Sequence, residues 1–218
     1  MSRPRAAISW SGGKDCCLAL MRAAESYDIV AMMTMFGEDG TRSRSHGLTP
    51  AVILAQAERL SLPVYIERCS WHTYTDQYMA VLAQVKQNGV SHVIFGDILG
   101  ETHREWNERV CARNELTAVM PLWGESTLLL AQDFIARGGD ARFVTVRPPL
   151  LDESWLGGTL DADALVRLQA VGADPCGELG EYHTVVTNCP AFSAPLELIP
   201  GRRVSSGGCW AMDFSIRD

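Results

Sequence analysis

The sequence of 218 residues lacks a CxxC pair, an internal repeat, a segment that reads as a secretory leader, and any apolar run near the roughly 20 residues of a membrane span. Its seven cysteines are scattered, with only Cys16 and Cys17 adjacent, so a reduced cytoplasmic protein is expected. Cys176, Cys189 and Cys209 lie too far apart to read as a zinc site. Basic residues are also in short supply. The net charge of −7 argues against non-specific nucleic-acid binding, which needs a basic footprint, and leaves room only for a structured partner met by a local patch. Two familiar nucleotide signatures are missing: the Walker spacing and the GxGxxG fingerprint.

What is present is apolar material, 47% of the chain, enough for one sizeable core and a small second lobe. Strand and helix patterns alternate. Asp28 to Phe36 is nearly continuous apolar sequence, as in a strand covered on both faces. Thr49 to Leu60, Tyr74 to Asn88, Thr102 to Asn114 and Thr127 to Gly138 read as helices. Pro63 to Cys69, Ser91 to Ile98, Ala118 to Trp123 and Phe143 to Arg147 read as strands between them. This order implies an α/β fold, a doubly wound, mostly parallel sheet with its ligand site at the carboxyl ends of the strands. The pattern changes at Pro148-Pro149. The expected division is residues 1–148 as an α/β domain, to which the family resemblance given below assigns ATP, and residues 149–218 as a small C-terminal α+β subdomain, to which it assigns the substrate. Its tail, 201 to 218, reads as a hairpin around Ser-Ser-Gly-Gly.

The first strand, Arg5 to Trp10, runs into Ser11-Gly12-Gly13-Lys14-Asp15-Cys16 and then a helix. Two glycines let a backbone approach an anion without a Cβ in the way. The amides of the following helix point at that anion, and the helix dipole favours its charge. Lys14 adds a point charge and Ser11 a hydroxyl. Asp15 is repulsive beside phosphate unless it holds a metal or caps the turn. An ordinary strand-to-helix turn is the plain alternative.

Ser-Gly-Gly-Lys-Asp after a first strand resembles the pyrophosphate loop of the ATP-pyrophosphatase (PP-loop, adenine-nucleotide alpha hydrolase-like) superfamily, whose members cleave ATP to AMP and pyrophosphate. The usual loop ends in Ser or Thr, where this chain has Cys16, a weaker donor. Further pieces narrow the resemblance to the diphthine–ammonia ligase family: SHG (45–47), QAERL (56–60), GDI (96–98), HREWNERVC (103–111), PLW (121–123) and DPCGELGEYHT (174–184). The resemblance implies adenylation of a substrate carboxylate and its amidation by ammonia, with ATP and Mg²⁺ required. The family's substrate is diphthine on elongation factor 2. From a bacterial source, it implies a small-molecule acid instead. No glutaminase pattern is present, so free ammonium is the expected nitrogen source. Sulfur transfer to RNA, another small acid, or a nucleotide-binding protein without turnover are the competing readings. A homodimer is the default assembly.

The candidate residues follow. Ser11, Gly12, Gly13, Lys14, Asp15, Cys16, His46, Gly96 and Asp97 are expected to hold the nucleotide, with Asp15 and Asp97 toward Mg²⁺. In CGELGEYHT, Glu181 and His183 share a face if the segment is extended, and a carboxylate beside an imidazole can take a proton from ammonium. Lys14, Glu181 and His183 are therefore the expected catalytic set. Glu178, Gly180, Glu181 and His183, with Arg104 and Glu108 four apart on one helix, are expected on the substrate side. A solvated loop and a surface ion pair are the plain alternatives for these two groups. Arg42 and Arg44 flank His46 and belong either to the phosphate site or to a mobile loop. Trp106 and Val110 are expected in the core.

Overall fold

The computed structural model describes residues 2–217. Five strands, β1 (Arg5–Ser9), β2 (Asp28–Phe36), β3 (Val64–Arg68), β4 (His92–Ile94) and β5 (Thr117–Val119), form a wholly parallel sheet in the order β3-β2-β1-β4-β5. Between them run α1 (Lys14–Ala23), α2 (Pro50–Leu60), α3 (Tyr74–Gln87) and α4 (Glu101–Arg113). The order reverses between β1 and β4. A crevice opens there at the carboxyl ends of the strands.

Both faces of this sheet are covered, which is why β2 is apolar almost throughout. One face packs on α3 and α4, with Tyr78, Leu82, Val85, Val110 and Cys111 at its centre. The other packs on α1, α2 and α5 (Thr127–Ala136), and this core continues without a break into the C-terminal part of the chain. Pro50 opens α2 at a position where its missing N–H costs nothing.

The second sheet is antiparallel, in the order β7-β6-β9-β8. It is built from β6 (Asp140–Val146), β7 (Tyr182–Asn188), β8 (Leu198–Ser206) and β9 (Cys209–Ile216). The β8–β9 hairpin turns where the Ser-Ser-Gly-Gly stretch suggested. Phe143 to Arg147, read as a further strand of the parallel set, is a correction. β6 pairs antiparallel with β7 and β9, so the second sheet draws a strand from ahead of Pro148-Pro149. The physical reason is in the register. Phe143 is buried edge-on against Trp155 and Tyr182 and Val146 is paired with Tyr182, in the part of the shared core that also takes the α6 helix (Ala162–Ala170). No helix of the described residues is long and apolar enough to cross a membrane.

Candidate active site

The glycine turn leaves β1 at the switch point and is held from outside itself. The Gly12 carbonyl accepts from the Val186 N–H of β7 at 2.9 Å and from Gln56 Nε2 of α2 at 3.1 Å. Trp10 Nε1 donates to Gln56 Oε1 at 2.8 Å, fixing the amide's orientation. Lys14 N–H donates to Thr184 Oγ1 at 3.1 Å. Gly12 has φ +85°, and a Cβ there would come within 2.4 Å of Leu48. Gly96, at the end of β4, matters for a different reason. A Cβ there would lie 2.7 Å from the Cys16 amide nitrogen, so any side chain would cover the first turn of α1. The amides of that turn have no partner inside the helix, and the glycine keeps them approachable.

Lys14 is 3% exposed. Its ammonium donates to Asp15 Oδ2 at 2.8 Å and to the Cys176 carbonyl, and lies 5.0 Å from the centre of the Tyr182 ring. Burial is the largest single influence and would lower its pKa; the Asp15 charge and hydrogen bond, with Tyr182 and Cys176, together outweigh it and hold the group well above its ordinary value. The cleft therefore carries one permanently charged cation. Cys16, in place of a hydroxyl, donates its thiol to the Gly13 carbonyl at 3.1 Å and accepts from Ser11 at 3.2 Å. Burial pushes this thiol up to about 11. Its side chain is occupied in shaping the turn.

Facing the turn is the segment 174–184, which folds on its own carboxylates. Asp174 Oδ1 accepts the N–H groups of Cys176 and Glu178 at 2.8 and 3.2 Å, and its Oδ2 accepts the Thr127 hydroxyl. Glu181, expected beside His183 as the proton acceptor, has a different place. It is buried before β7 begins, and its two oxygens accept the N–H groups of Asp174 and Leu179 at 2.9 and 3.0 Å. It does not line the cleft. The chain turns at Gly177 and Gly180, both with positive φ, so the two-residue alternation that would align Glu181 with His183 starts only at Tyr182. Glu178 and Gly180 do line the cleft. Burial, with the like charge of Asp15, pushes Glu178 up to about 7, Lys14 opposing.

His183 lines the same cleft and stacks on His46, ring centres 4.6 Å apart. His46 Nδ1 lies 2.8 Å from the Thr184 carbonyl. A carbonyl only accepts, so Nδ1 carries the proton and Nε2 keeps its lone pair. Burial lowers His46 to about 4. Burial and the neighbouring His46 lower His183 to about 3. Both rings are neutral at pH 7. His46 thus reaches the turn, where its ring fills the space a Cβ on Gly13 would occupy, without bringing charge to a phosphate.

Asp97, just past β4, points into the cleft. Asn107 Nδ2 of α4 donates to its Oδ2 at 3.1 Å, and burial raises its pKa. Sequence reasoning missed Asn107. The face of α4 that meets the cleft is His103, Trp106 and Asn107, spaced i, i+3, i+4. Arg104 and Glu108 are a correction. They lie on the outer face, exposed and paired at 2.9 Å, with the guanidinium over the Trp123 ring. Trp106 borders the cleft, while Val110 is fully buried. Arg42 is tied to Asp213 at 2.8 Å, away from the turn. Arg44 donates to the Cys69 carbonyl and lies over Trp71.

The whole forms one cleft of about 550 Å³, lined by the glycine turn, the ends of β2 and β4, α3, α4 and the 176–184 segment. No cluster of three or more metal-binding side chains occurs among the described residues. These features define an α/β protein whose glycine turn stands at a topological switch point, closed over by an antiparallel sheet. Residues 4–118 match the diphthamide synthase N-terminal domain and residues 126–214 its C-terminal domain; the chain belongs to the diphthamide synthase family. Diphthine–ammonia ligases from Schizosaccharomyces pombe and Rattus norvegicus are each 29% identical over 215 residues, 86% of this chain, and that from Homo sapiens is 28% identical over 214. The match spans 35% of the yeast protein and 80% of the rat and human ones. A solved structure, a predicted subunit of tRNA methyltransferase from Methanocaldococcus jannaschii, aligns over 85% of this chain and 97% of its own at 15% identity, with a TM-score of 0.43.

Proposed function

We propose that the chain is an ATP-dependent, AMP-forming ligase that converts a substrate carboxylate to an amide with ammonia, as the names of its relatives suggest for diphthine. The observation that carries this reading is a division within one cleft. Lys14 and the first-turn amides of α1 stand on one side. A carboxylate without a side-chain partner among the described residues, Glu178, and a neutral imidazole, His183, stand on the other.

The glycine turn takes the terminal phosphates of ATP, with Lys14 exchanging the Cys176 carbonyl for a phosphate oxygen. Asp15 and Asp97 are hard oxygen donors that would hold Mg²⁺, and the ion would supply neutralisation of polyphosphate charge. A carboxylate oxygen of the acceptor attacks the α-phosphorus and pyrophosphate leaves. Ammonia then attacks the acyl carbon and AMP leaves. Ammonium must first lose a proton. Glu178, poised near neutrality and facing the cleft, takes the role that Glu181 was expected to fill. The β7 residues Thr184 and Val186 support the turn, and His183 from the same strand faces the acceptor, so the second sheet supplies the substrate side.

The sulfur-transfer reading has less support. Cys16 and Cys176 are the cysteines that line the cleft, and burial raises the pKa of both, so neither presents a thiolate. The deciding experiment is AMP release from α-labelled ATP with Mg²⁺ and ammonium, offered either diphthine-bearing elongation factor 2 or small carboxylic acids. AMP that requires both ammonium and one acceptor supports the ligase. AMP that ignores ammonium, or tight nucleotide binding without AMP for any acceptor, overturns it.

A further inference from the structure

One wall of the cleft is a run of five aromatic rings that nucleotide and ammonium chemistry leaves unused. Trp71, Tyr74, Tyr78, Phe95 and Trp106 all line it. Neighbouring ring centres are close: 5.8 Å from Trp71 to Tyr74, 5.7 Å from Tyr74 to Trp106, 5.0 Å from Trp106 to Tyr78 and 6.4 Å from Tyr78 to Phe95. The run is graded. Trp71 at the outer end is 69% exposed, and Tyr78 and Phe95 at the inner end are 2% and 3% exposed. The buried Tyr78 hydroxyl makes no hydrogen bond within normal distance among the described residues, with Ser9 its neighbouring side-chain oxygen. A buried, unpaired hydroxyl on a cleft wall is unfavourable unless a ligand satisfies it.

We infer that this wall is the acceptor subsite, and that the acid taken by the ligase proposed above carries a flat apolar or conjugated body. That inference rests on the ligase reading only for calling the ligand an acid. Three observations lead to it. Phe95, at the inner end of the run, stands two residues before Asp97 at the end of β4, and the rings line the same cleft as Glu178, so an acid lying along them keeps its acyl carbon in the cleft where ammonia would be released. The wall runs out to solvent at Trp71, so it suits a body longer than the cleft; a purine of fixed size needs no such extension. The rings are also packed against one another, which leaves a surface to lie on and no cage in which a compact cation would be surrounded. Arg44, over the far side of Trp71 and bonded to the Cys69 carbonyl, holds that outermost ring in position. Tyr78 would donate to a polar atom of the body's inner end.

The test is calorimetric binding to the full chain, with 2-naphthoic acid as the planar acid, glycine betaine as the compact cationic acid and α,β-methylene-ATP as the nucleotide. Trp71 is mostly exposed, so Trp71→Ala should fold, and its thermal transition verifies this. The expected result is naphthoate binding that weakens at least fivefold in Trp71→Ala and about threefold in Tyr78→Phe, with nucleotide affinity within twofold of the parent. Naphthoate that fails to bind, or binds parent and Trp71→Ala alike, overturns the inference. So does nucleotide affinity that falls fivefold or more in Trp71→Ala, which would assign the wall to the purine. Trp71-dependent binding of betaine without naphthoate would make the wall a cation site and overturn it too. Because these are binding measurements, they separate from the ligase reading, which fails on its own if AMP release never depends on ammonium.

Discussion

The two loops that face each other across the cleft are held in opposite ways. The glycine turn is fastened from outside: β7 and α2 grip the Gly12 carbonyl, and Thr184 grips the Lys14 amide. The 174–181 segment is fastened from within, by Asp174 and Glu181 accepting its own N–H groups. The first arrangement frees side chains and amides for a ligand while the backbone stays fixed. The second consumes side chains to fix the backbone, so of three carboxylates in the segment only Glu178 is left for chemistry. Charge alone does not identify a site residue; what the charge is already bonded to does.

The largest effect is expected at the turn. Lys14→Ala removes the one buried cation of the cleft and leaves Asp15 without its ion pair. AMP formation should fall by about 10³-fold or more, the size of loss that follows removal of a transition-state donor. A loss under tenfold would mean that the amides suffice. Gly96→Ala should weaken nucleotide binding nearly as much, because its Cβ would cover the Cys16 amide; calorimetry with α,β-methylene-ATP checks this.

The next pair sharpens the contrast between structural and chemical carboxylates. Glu181→Gln turns a donor toward one of two buried N–H groups and should cost about 2–3 kcal/mol of stability in a urea titration. Glu178→Gln should fold as well as the parent yet lose amide formation by about 10²-fold, the usual range for a general base. If the two variants exchange these behaviours, the division within the segment is wrong.

The sequence made the glycine turn legible because its job is done by backbone, and backbone demands leave marks: two glycines, a positive φ at Gly12, and a third glycine at 96. The parallel sheet was legible for a similar reason, through the unbroken apolar run of β2. The rest depended on facts that spacing does not encode. Glu178 and Glu181 are the same residue type three apart, and only the turn at Gly180 decides which one faces the cleft. Asn107 carries no charge to attract notice, and its value lies wholly in its bond to Asp97. The strand β6 looked like another parallel strand because local pattern does not name a partner, and its register with β7 was set by Phe143 and Val146 meeting Tyr182.

Titration offers a subtler comparison, since the carboxylate and the imidazoles of the cleft shift in opposite senses. Glu178 is raised in the fold from 4.5 to about 7, so its stabilising effect is fully present below pH 4.5 and lost as pH rises through 7. Glu178→Gln should therefore be more stable than the parent at pH 8, and the parent's rate should climb through pH 7 as the base ionises. His46 and His183 are lowered to about 4 and 3, so their contribution is present above pH 6.5 and lost as pH falls toward 3. The parent should thus lose stability between pH 6.5 and 4 more steeply than His46→Gln, measured by thermal transitions across that range. Equal slopes would mean that the stacked rings are charged in the native state.

The smallest effect is expected where the sequence pattern was most suggestive. Arg104 and Glu108 stand four apart in the order less favourable for a helix, which hinted at a role beyond stapling α4. In the fold they pair with each other beside the Trp123 ring, off the face that His103, Trp106 and Asn107 turn to the cleft. Arg104→Ala should leave amide formation within about twofold, since exposed ion pairs of this kind contribute little. Asn107→Ala, one turn away on the inner face, should lower it by tenfold or more by releasing Asp97 from its orientation. If Arg104→Ala is the more damaging of the two, then α4 must turn its other face to the acceptor during the reaction, and the cleft is larger in use than it is at rest.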